Sequence, residues 1–268
     1  MKTKVFKVTG ARQPAWQLPI AALEATARYP LGDDSFRLDH GADYFAFFRR
    51  LGALHYYAAQ TEGRVAAVGA GIIRRVPFQQ GGRARRTWYL CDLKVDPQYR
   101  GRRLPQKLMS RAFLPGYLRC RRGYAISMNP PDRTNRVVHL LERFRWARIR
   151  LAGQLLIYSV DAETMRRLQP VLESHRGPVS YLSLAGKKDL ILGSTGARVP
   201  LIHAQFGPCA ESGAGAPVAG HTHMFCAPDD DALARAVSGH GIVPSATAAI
   251  VAHGMEPCDW RFVLTSDI

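Results

Sequence analysis

The chain has 268 residues, 47% of them apolar, which is enough for one large domain or two small ones with a sizeable core. No apolar run is long enough to span a bilayer, and the start MKTKVFKVTG has no apolar signal core, so we expect a cytoplasmic protein with no membrane span. The net charge of +16 favours an anionic partner: nucleic acid, an anionic cofactor or an acidic substrate.

The first part of the chain predicts a strand, two helices and a hairpin. The helices are recognised by apolar residues at helical spacing and the hairpin by a change to period two around Thr61-Glu62-Gly63. The predicted elements are a strand at Val5 to Val8, helices at Pro14 to Tyr29 and Ala42 to Leu51, and strands at His55 to Gln60 and Val65 to Arg75.

Two features of this part bear on a ligand site. Tyr44, Phe45, Phe47 and Phe48 make one helix face heavily aromatic, which favours core or a pocket wall. Gly69 and Gly71 stand inside a predicted strand, where glycine weakens the sheet unless something approaches closely. We expect them to make room for a substrate.

The stretch from Tyr89 to Met109, YLCDLKVDPQYRGRRLPQKLM, is the most informative in the sequence. It begins as a strand, turns at Asp96-Pro97, passes through a basic loop and enters a helix. The first turn of a helix has unpaired N–H groups and a positive dipole end, so arginines next to it favour a phosphate or pyrophosphate. A plain solvated turn remains the alternative.

The remaining sequence predicts further helices and strands up to its end. A helix from Asn135 to Phe144 follows the break at Asn129-Pro130-Pro131-Asp132, with Thr134 or Asp132 as its cap. A Gly-, Ala- and Pro-rich loop covers Pro208 to Gly220. The other predicted elements are strands at Tyr124 to Met128, Trp146 to Ile149 and Gln154 to Val160, a helix at Ala162 to Ser174, strands at Val179 to Leu184, Asp189 to Leu192, Val199 to Gln205 and His221 to Cys226, a helix at Asp229 to Val237, and strands at Ala246 to Val251 and Arg261 to Thr265.

Cysteine and histidine spacing gives no firm metal signal. The spacing of His221, His223 and Cys226 in HTHMFC could put two imidazoles on one strand face, as in some zinc sites. Only two or three ligands are local, so we expect no metal. The five cysteines are an odd number without a Cys-x-x-Cys pair, which indicates reduced thiols.

Two segments together resemble the GNAT N-acetyltransferase superfamily. DLKVDPQYRGRRLPQKLM is similar to its strand, Arg-Gly loop and cofactor helix, and NRVVHLLERFRW resembles its closing helix. The resemblance covers residues 1–160 and implies an α+β fold with a mixed, mainly antiparallel sheet flanked by helices. Residues 161–268 predict a second, smaller α+β domain. A degenerate half of the same fold is one interpretation, although no second Arg-Gly loop precedes a helix there.

The resemblance implies acyl transfer from acetyl-CoA, or another acyl-CoA, to an amine. The main chain of Leu93, Lys94 and Val95 would pair with the pantetheine arm, and Asn135 would lie near the pantetheine or the substrate. The pyrophosphate would lie in the loop formed by Arg100, Gly101, Arg102, Arg103, Leu104 and Pro105.

This loop departs from the family pattern at two positions. Pro105 cannot donate a backbone hydrogen bond, although proline suits a first helical turn. Arg103 replaces a glycine, so its side chain either crowds the ligand or supplies a charge-assisted donor instead. We expect cofactor binding to be retained because the surrounding charge favours an anion.

A third departure concerns proton transfer. Leu141 stands where many relatives have a tyrosine that protonates the departing thiolate. Its replacement is Cys91, Asp92, His139 or a water, and Asp92 is also placed to act as the base that deprotonates the amine. The alternatives are an aspartate that faces solvent or pairs with one of the arginines, and a surface histidine.

We therefore expect an N-acetyltransferase that acts by direct attack in a ternary complex on a small-molecule or peptide amine. One alternative is a longer-chain acyltransferase with the aromatic face at Tyr44 to Phe48 along a tunnel. The other is a non-catalytic protein of this fold that binds nucleic acid or protein through its basic surface. The sequence does not specify the acceptor or the oligomeric state.

Overall fold

The structure is a computed structural model that describes residues 2–31, 34–79, 82–130, 134–144 and 148–268, with main chain alone at 30, 31, 113 and 114. The helices are α1 (Gln13–Glu24), α2 (Ala46–Leu51), α3 (Leu104–Arg119), α4 (Arg136–Glu142), α5 (Ala162–Arg176) and α6 (Ala232–Gly239). The strands are β1 (Thr3–Val8), β2 (Tyr29–Leu31), β3 (Asp34–Asp39), β4 (Ala53–Thr61), β5 (Arg64–Val76), β6 (Arg85–Val95), β7 (Gly123–Met128), β8 (Arg150–Val160), β9 (Ser180–Ser183), β10 (Asp189–Leu192), β11 (Arg198–Val199), β12 (Leu201–Gln205), β13 (Thr222–Pro228) and β14 (Ala246–His253).

The chain divides into two units made of interleaved segments. The first unit comprises Met1–Arg75, Arg86–Gly123 and Gly186–Arg198, and the second comprises Val76–Arg85, Tyr124–Ala185 and Val199–Ile268. These segments do not coincide with the division into residues 1–160 and 161–268, which remains a prediction about functional domains.

Two sheets form the first unit. In one, the strands follow the order β1-β4-β5-β6, with β4 antiparallel to both β1 and β5. The β4–β5 turn has Glu62 at φ 53° and Gly63 at φ 77°, so the predicted glycine turn is confirmed. The other sheet has the order β11-β10-β3-β2, and Asp189 pairs with Asp39. Residues 186–198 thus return to a unit whose other segments end at Gly123.

The second unit has a sheet in the order β7-β14-β8-β13-β12-β9. Strand β8 is antiparallel to β14 and β13, whereas β12 and β13 are parallel. Helix α5 begins after Asp161, whose carboxylate accepts from the Thr164 N–H at 2.7 Å, and it buries Met165, Leu168 and Leu172 in the core of this unit. The expected mixed α+β class is confirmed.

Helix α1 ends five residues earlier than predicted, at Glu24. Tyr29 to Leu31 instead form β2, in which Tyr29 pairs with Phe36 of β3. Strand pairing therefore outweighs the helical periodicity at residues 29–31. The sequence did not predict β2 and β3, because neither shows a clear alternation of apolar and polar residues.

Helix α2 begins at Ala46, four residues later than predicted. The Asp43 carboxylate accepts from the Phe45 N–H at 3.1 Å and fixes a turn in front of the helix. Helix α4 is capped by Asn135 itself and not by Thr134, while Asp132 and Trp146 lie outside the described residues.

The predicted strand at Arg261 to Thr265 is wrong. Two 3-10 turns occupy this region, Trp260–Phe262 and Thr265–Asp267. The Asp259 carboxylate accepts from the Arg261 N–H at 3.1 Å, and a local bond of this kind competes with strand pairing.

The aromatic face and the two strand glycines are explained by packing. Tyr44, Phe45, Phe47 and Phe48 are all buried, which confirms the core interpretation. A Cβ atom at Gly71 would overlap the indole ring of Trp88, so this glycine makes room for Trp88 and the expected room for a substrate is wrong there. At Gly69 a Cβ atom would make ordinary contacts with Leu93 and Leu108.

All five cysteines are free thiols. In the part of the chain that the structure describes, no helix has the length and apolar character needed to cross a membrane.

Candidate functional site

The end of β6 changes conformation at Asp92. This residue has φ 56°, a left-handed conformation that is uncommon outside glycine and typical of a local break in strand alternation. Its side chain is 1% exposed although the residue as a whole is half-buried, so the exposed part is main chain. At Asp92, strand β6 therefore presents main chain to solvent, while the Asp92 carboxylate points into the first unit.

The Asp92 carboxylate is held by three donors. The hydroxyl of Tyr44 donates to it at 3.0 Å and that of Tyr56 at 2.5 Å, and the Lys94 ammonium forms a close ion pair with it. A buried carboxylate needs such partners because desolvation of its charge is costly. The Asp92 side chain is thus fixed in position, and a solvent-facing aspartate is excluded.

A second carboxylate, Glu24 at the end of α1, shares two of these donors. Its Oε2 lies 2.7 Å from Lys94 Nζ and 3.0 Å from the Tyr44 hydroxyl oxygen, whose one proton the two carboxylates share. Burial raises the pKa of Glu24, and the charge of Asp92 raises it further, while Lys94 acts in the opposite direction. A carboxyl group with a raised pKa is a better proton acceptor than an ordinary one.

Lys94 is the positive centre of this group. Burial alone would lower its pKa, but Asp92, Tyr29 and Glu24 together raise the pKa of Lys94 above its usual value. It therefore stays an ammonium and is not a nucleophile at neutral pH.

His40 is buried beside Glu24. Its Nδ1 donates to the Lys187 carbonyl at 3.0 Å, and its Nε2 lies 3.8 Å from Glu24 Oε2. Burial lowers the pKa of His40 to about 4, so the imidazole is neutral at pH 7. We call Glu24, His40, Tyr44, Tyr56, Asp92 and Lys94 the acidic cluster.

The basic loop follows directly on β6. Asp96 accepts from the Gln98 N–H at 2.9 Å and starts a short turn, after which Gly101 has φ 79° and Arg103 has φ 55°. Helix α3 then begins at Leu104 without a side-chain cap and without an acidic residue in its first turn. Its first N–H groups, apart from the one that Pro105 lacks, remain available for an anion.

Three arginines surround this helix start, and all three are exposed. Arg102 lies over the Tyr99 ring at 5.2 Å, whereas the guanidinium groups of Arg100 and Arg103 make no hydrogen bond or ion pair with any described residue. A Cβ atom at Gly101 would meet nothing within 4 Å, so the loop is open at that point.

The predicted site residues fall in two groups. Cys91, Asp92, Leu93, Lys94, Val95 and residues 100–105 lie together in the first unit, whereas Asn135 and His139 belong to the second. Burial raises the pKa of the Cys91 thiol well above its usual range, as does the charge of Asp92, which makes it a poor proton donor.

The residues on α4 have visible structural roles. The Asn135 side chain accepts from the Val137 N–H at 3.1 Å and donates to the Ser127 carbonyl at 3.2 Å, so it caps the helix and ties it to β7. The His139 side chain is 60% exposed and lies 3.7 Å from Glu142, and Leu141 is buried. The predicted functional roles of Asn135 and His139 stay predictions.

Sequence reasoning missed Glu24 and His40, and it missed Lys188, whose Nζ lies 4.8 Å from the centre of the Phe47 ring. Glu24 is the single acid of the apolar helix α1, a signal that a buried carboxylate leaves in a sequence. Lys188 leaves no comparable signal because it comes from the distant segment 186–198.

The HTHMFC segment forms β13, where His223 is fully buried. Its Nε2 accepts from the Val218 N–H at 3.0 Å, and its Nδ1 donates to the His221 carbonyl at 3.1 Å. Both nitrogens are thus used by backbone, and the described residues contain no group of three or more side chains placed to hold a metal.

Comparison with known proteins finds a family model and a relative that match this chain. The model of the acetyltransferase (GNAT) family matches residues 20–144. An uncharacterised protein of Acanthamoeba polyphaga mimivirus is 25% identical over 232 residues, which are 84% of this chain and 68% of that protein.

Two solved structures cover nearly the whole chain. A tandem GNAT protein from the clavulanic acid biosynthesis pathway is 12% identical with a TM-score of 0.51, over 96% of this chain and 100% of that one. A GCN5-related N-acetyltransferase from Anabaena variabilis is 10% identical with a TM-score of 0.48, over 95% of this chain and 73% of that one. The first likeness concerns the fold, and it fits a two-domain α+β arrangement. The chain therefore carries a GNAT acetyltransferase domain at residues 20–144.

Proposed function

We propose that the chain is an N-acyltransferase that transfers an acetyl group from acetyl-CoA to an amine by direct attack in a ternary complex. The observation that carries this proposal is the continuity of three features along one stretch of chain. A half-buried strand end at β6, an exposed arginine loop and an uncapped helix start follow one another between Asp92 and Leu104. A carrier with a peptide-like arm and a pyrophosphate matches this order of groups.

The cofactor would lie with its pyrophosphate at the loop and its pantetheine arm along Leu93, Lys94 and Val95. Arg100 and Arg103 would supply charge-assisted donors, because their guanidinium groups have no partner among the described residues. The thioester would then lie at the other end of the arm, toward Cys91 and Asp92. The side chain of Arg103 would take the place of the backbone N–H donor that Pro105 lacks.

The acidic cluster would serve the acceptor amine. An ammonium must lose a proton before its nitrogen can attack, and Glu24 has the raised pKa that suits a proton acceptor. Asp92, saturated by Tyr44, Tyr56 and Lys94, would hold the cluster in place and keep a negative charge near the incoming amine. Glu24 thus joins Asp92 as a candidate catalytic group.

The longer-chain alternative loses its main support. The aromatic face that was to line a tunnel is packed core, with Phe45 and Tyr56 in edge contact at 5.1 Å. The acetyl group is therefore the first donor to test. The acceptor remains a small-molecule or peptide amine.

Calorimetry with acetyl-CoA tests the proposal first. Replacement of Arg100 and Arg103 together by Ala should weaken binding by about 3 kcal/mol or more, the scale of two charge-assisted hydrogen bonds. Arg166→Ala with Arg167→Ala removes the same charge from the exposed face of α5 and should leave affinity unchanged. No binding of acetyl-CoA, together with tight and salt-sensitive binding of DNA or RNA, would favour the nucleic-acid alternative.

Turnover is tested by thiol release with a panel of amines, aminoglycosides and peptides. Glu24→Gln should lower kcat about 100-fold or more while acetyl-CoA still binds, since it removes the proposed proton acceptor. Circular dichroism of the variant checks that it folds. Unchanged kcat in a folded Glu24→Gln protein would assign the base elsewhere.

A further inference from the structure

Lys188 brings an unusual amine into the first unit. The residue is half-buried, and its Nζ lies 4.8 Å from the centre of the Phe47 ring. Among the described residues, no carboxylate forms an ion pair with it and no acceptor forms a hydrogen bond with it. The ammonium thus interacts with the face of the Phe47 ring, and this cation–π contact compensates only modestly for the loss of hydration.

The charged groups around Lys188 disfavour its protonated form. Burial acts first, and the positive charges of Arg50 on α2 and Lys94 on β6 add to it, so the pKa of Lys188 falls to about 8. Cys91 and Glu24 act in the opposite direction. With this pKa, a fraction of the Lys188 amine is neutral and nucleophilic near neutral pH, and that fraction grows as the pH rises.

The backbone around Lys188 is fixed. The Lys187 carbonyl accepts from His40 Nδ1 at 3.0 Å, and Asp189 is in register with Asp39 in the β10–β3 pair. Gly41 and Gly186 approach so closely that a Cβ atom on Gly41 would collide with the Gly186 carbonyl. The amine is therefore carried by an ordered segment beside the acidic cluster, which the neighbouring Lys187 carbonyl contacts through His40.

We propose that Lys188 is a self-acylation site, at which Nζ takes the acyl group of bound acyl-CoA. The inference rests on the proposed function, which puts the thioester toward Cys91 and Asp92. The neutral amine forms a C–N bond to the thioester carbon, the C–S bond breaks, and coenzyme A leaves as thiolate. The proton lost by nitrogen passes through solvent to that thiolate, which gives an amide and free thiol.

The test is incubation of the full chain with acetyl-CoA, followed by intact mass and peptide mapping. We expect one acetyl group per chain at Lys188, and a rate that rises between pH 7 and pH 9. Lys188→Arg should abolish the modification, whereas Lys187→Arg should leave it unchanged. Lys187 is a matched control because it is adjacent and exposed.

The possible outcomes separate this inference from the proposed function. Loss of the Lys188 modification in the Arg100→Ala, Arg103→Ala protein supports it, because the reaction then requires the cofactor loop. Equal modification of Lys187 and Lys188, or no effect of the loop variant, indicates unassisted chemistry and overturns it. An unmodified Lys188 in a protein that binds acetyl-CoA and acetylates an amine overturns the self-acylation alone. Absence of acetyl-CoA binding overturns both proposals.

Discussion

The hydroxyl of Tyr56 donates to the carboxylate of Asp92 at 2.5 Å, and both side chains are shielded from solvent. Tyr56 on β4 thereby ties the neighbouring region of the sheet to the residue at which β6 turns left-handed. The same bond helps to fix a charge next to the proposed position of the acceptor amine. Loss of the Tyr56–Asp92 hydrogen bond should therefore lower the free energy of unfolding.

Tyr56→Phe should lower the free energy of unfolding by about 1.5–3 kcal/mol, because it removes a hydrogen bond to a buried charge. Tyr57→Phe is the matched control: Tyr57 is the next residue of β4, is also buried, and its hydroxyl makes no hydrogen bond to a described residue. Urea unfolding followed by fluorescence measures both. Equal losses in the two variants would contradict a special role for the Tyr56–Asp92 bond.

The packing of Trp88 supplies a second prediction. A Cβ atom at Gly71 would overlap the indole, so Gly71→Ala should cost about 1–3 kcal/mol of unfolding free energy through overpacking. Gly69→Ala is the control on the same strand, since its Cβ would lie 3.8 Å from Leu93, an ordinary contact. Thermal unfolding of the two variants should differ clearly, and a Gly69 variant as unstable as the Gly71 variant would argue against the role of Trp88.

The titration of His40 gives a prediction about pH. Its pKa is about 4 in the folded protein, against about 6.5 in an unfolded chain, so between these values the unfolded chain binds a proton that the folded one does not. The contribution of His40 to the free energy of unfolding is therefore fully present above pH 6.5 and is lost as the pH falls toward 4. The loss at pH 5 is about 2 kcal/mol, from 1.5 pH units at about 1.4 kcal/mol each.

Urea unfolding at pH 7 and pH 5 checks this prediction. Between pH 7 and pH 5, the free energy of unfolding should fall by about 2 kcal/mol less in His40→Gln than in the natural protein. Glu24 opposes the trend, because its raised pKa lets the folded protein take up a proton as the pH falls, but it is present in both proteins. Parallel decreases in the natural protein and in His40→Gln would show that His40 is not responsible.

The sequence predicted the features that depend on local chemistry. The hairpin at Gly63, the strand, loop and helix from Tyr89 to Met109, and the aromatic core face were all recognisable because each has a local pattern. Periodicity also found most helices, although pairing of Tyr29 with Phe36 shortened α1 at its end.

The acidic cluster could not be predicted in the same way. It joins Glu24 of α1, His40 after β3, Tyr56 of β4 and Asp92 of β6, residues whose proximity depends on long-range pairing. Lys188 is more distant still, because the chain leaves the first unit after Gly123 and returns at Gly186. No local pattern records such a return.

Arg103 allows the conformational and the ligand-binding roles of the loop to be separated. Its φ of 55° is unfavourable for a residue with a Cβ atom, so Arg103→Gly should relieve strain that Arg103→Ala retains. We expect the Gly variant to be more stable than the Ala variant by about 0.5–1 kcal/mol, after the greater flexibility of unfolded glycine is counted.

Both variants remove the same guanidinium, so both should bind acetyl-CoA about 10-fold to 100-fold more weakly than the natural protein, the equivalent of one charge-assisted hydrogen bond. Calorimetry gives the affinities and urea unfolding gives the stabilities. If both variants instead bind as tightly as the natural protein, the backbone N–H groups bind the pyrophosphate and the Arg103 side chain does not. If the Ala variant alone loses affinity, the guanidinium contributes to binding and the freer backbone of the Gly variant compensates for its loss.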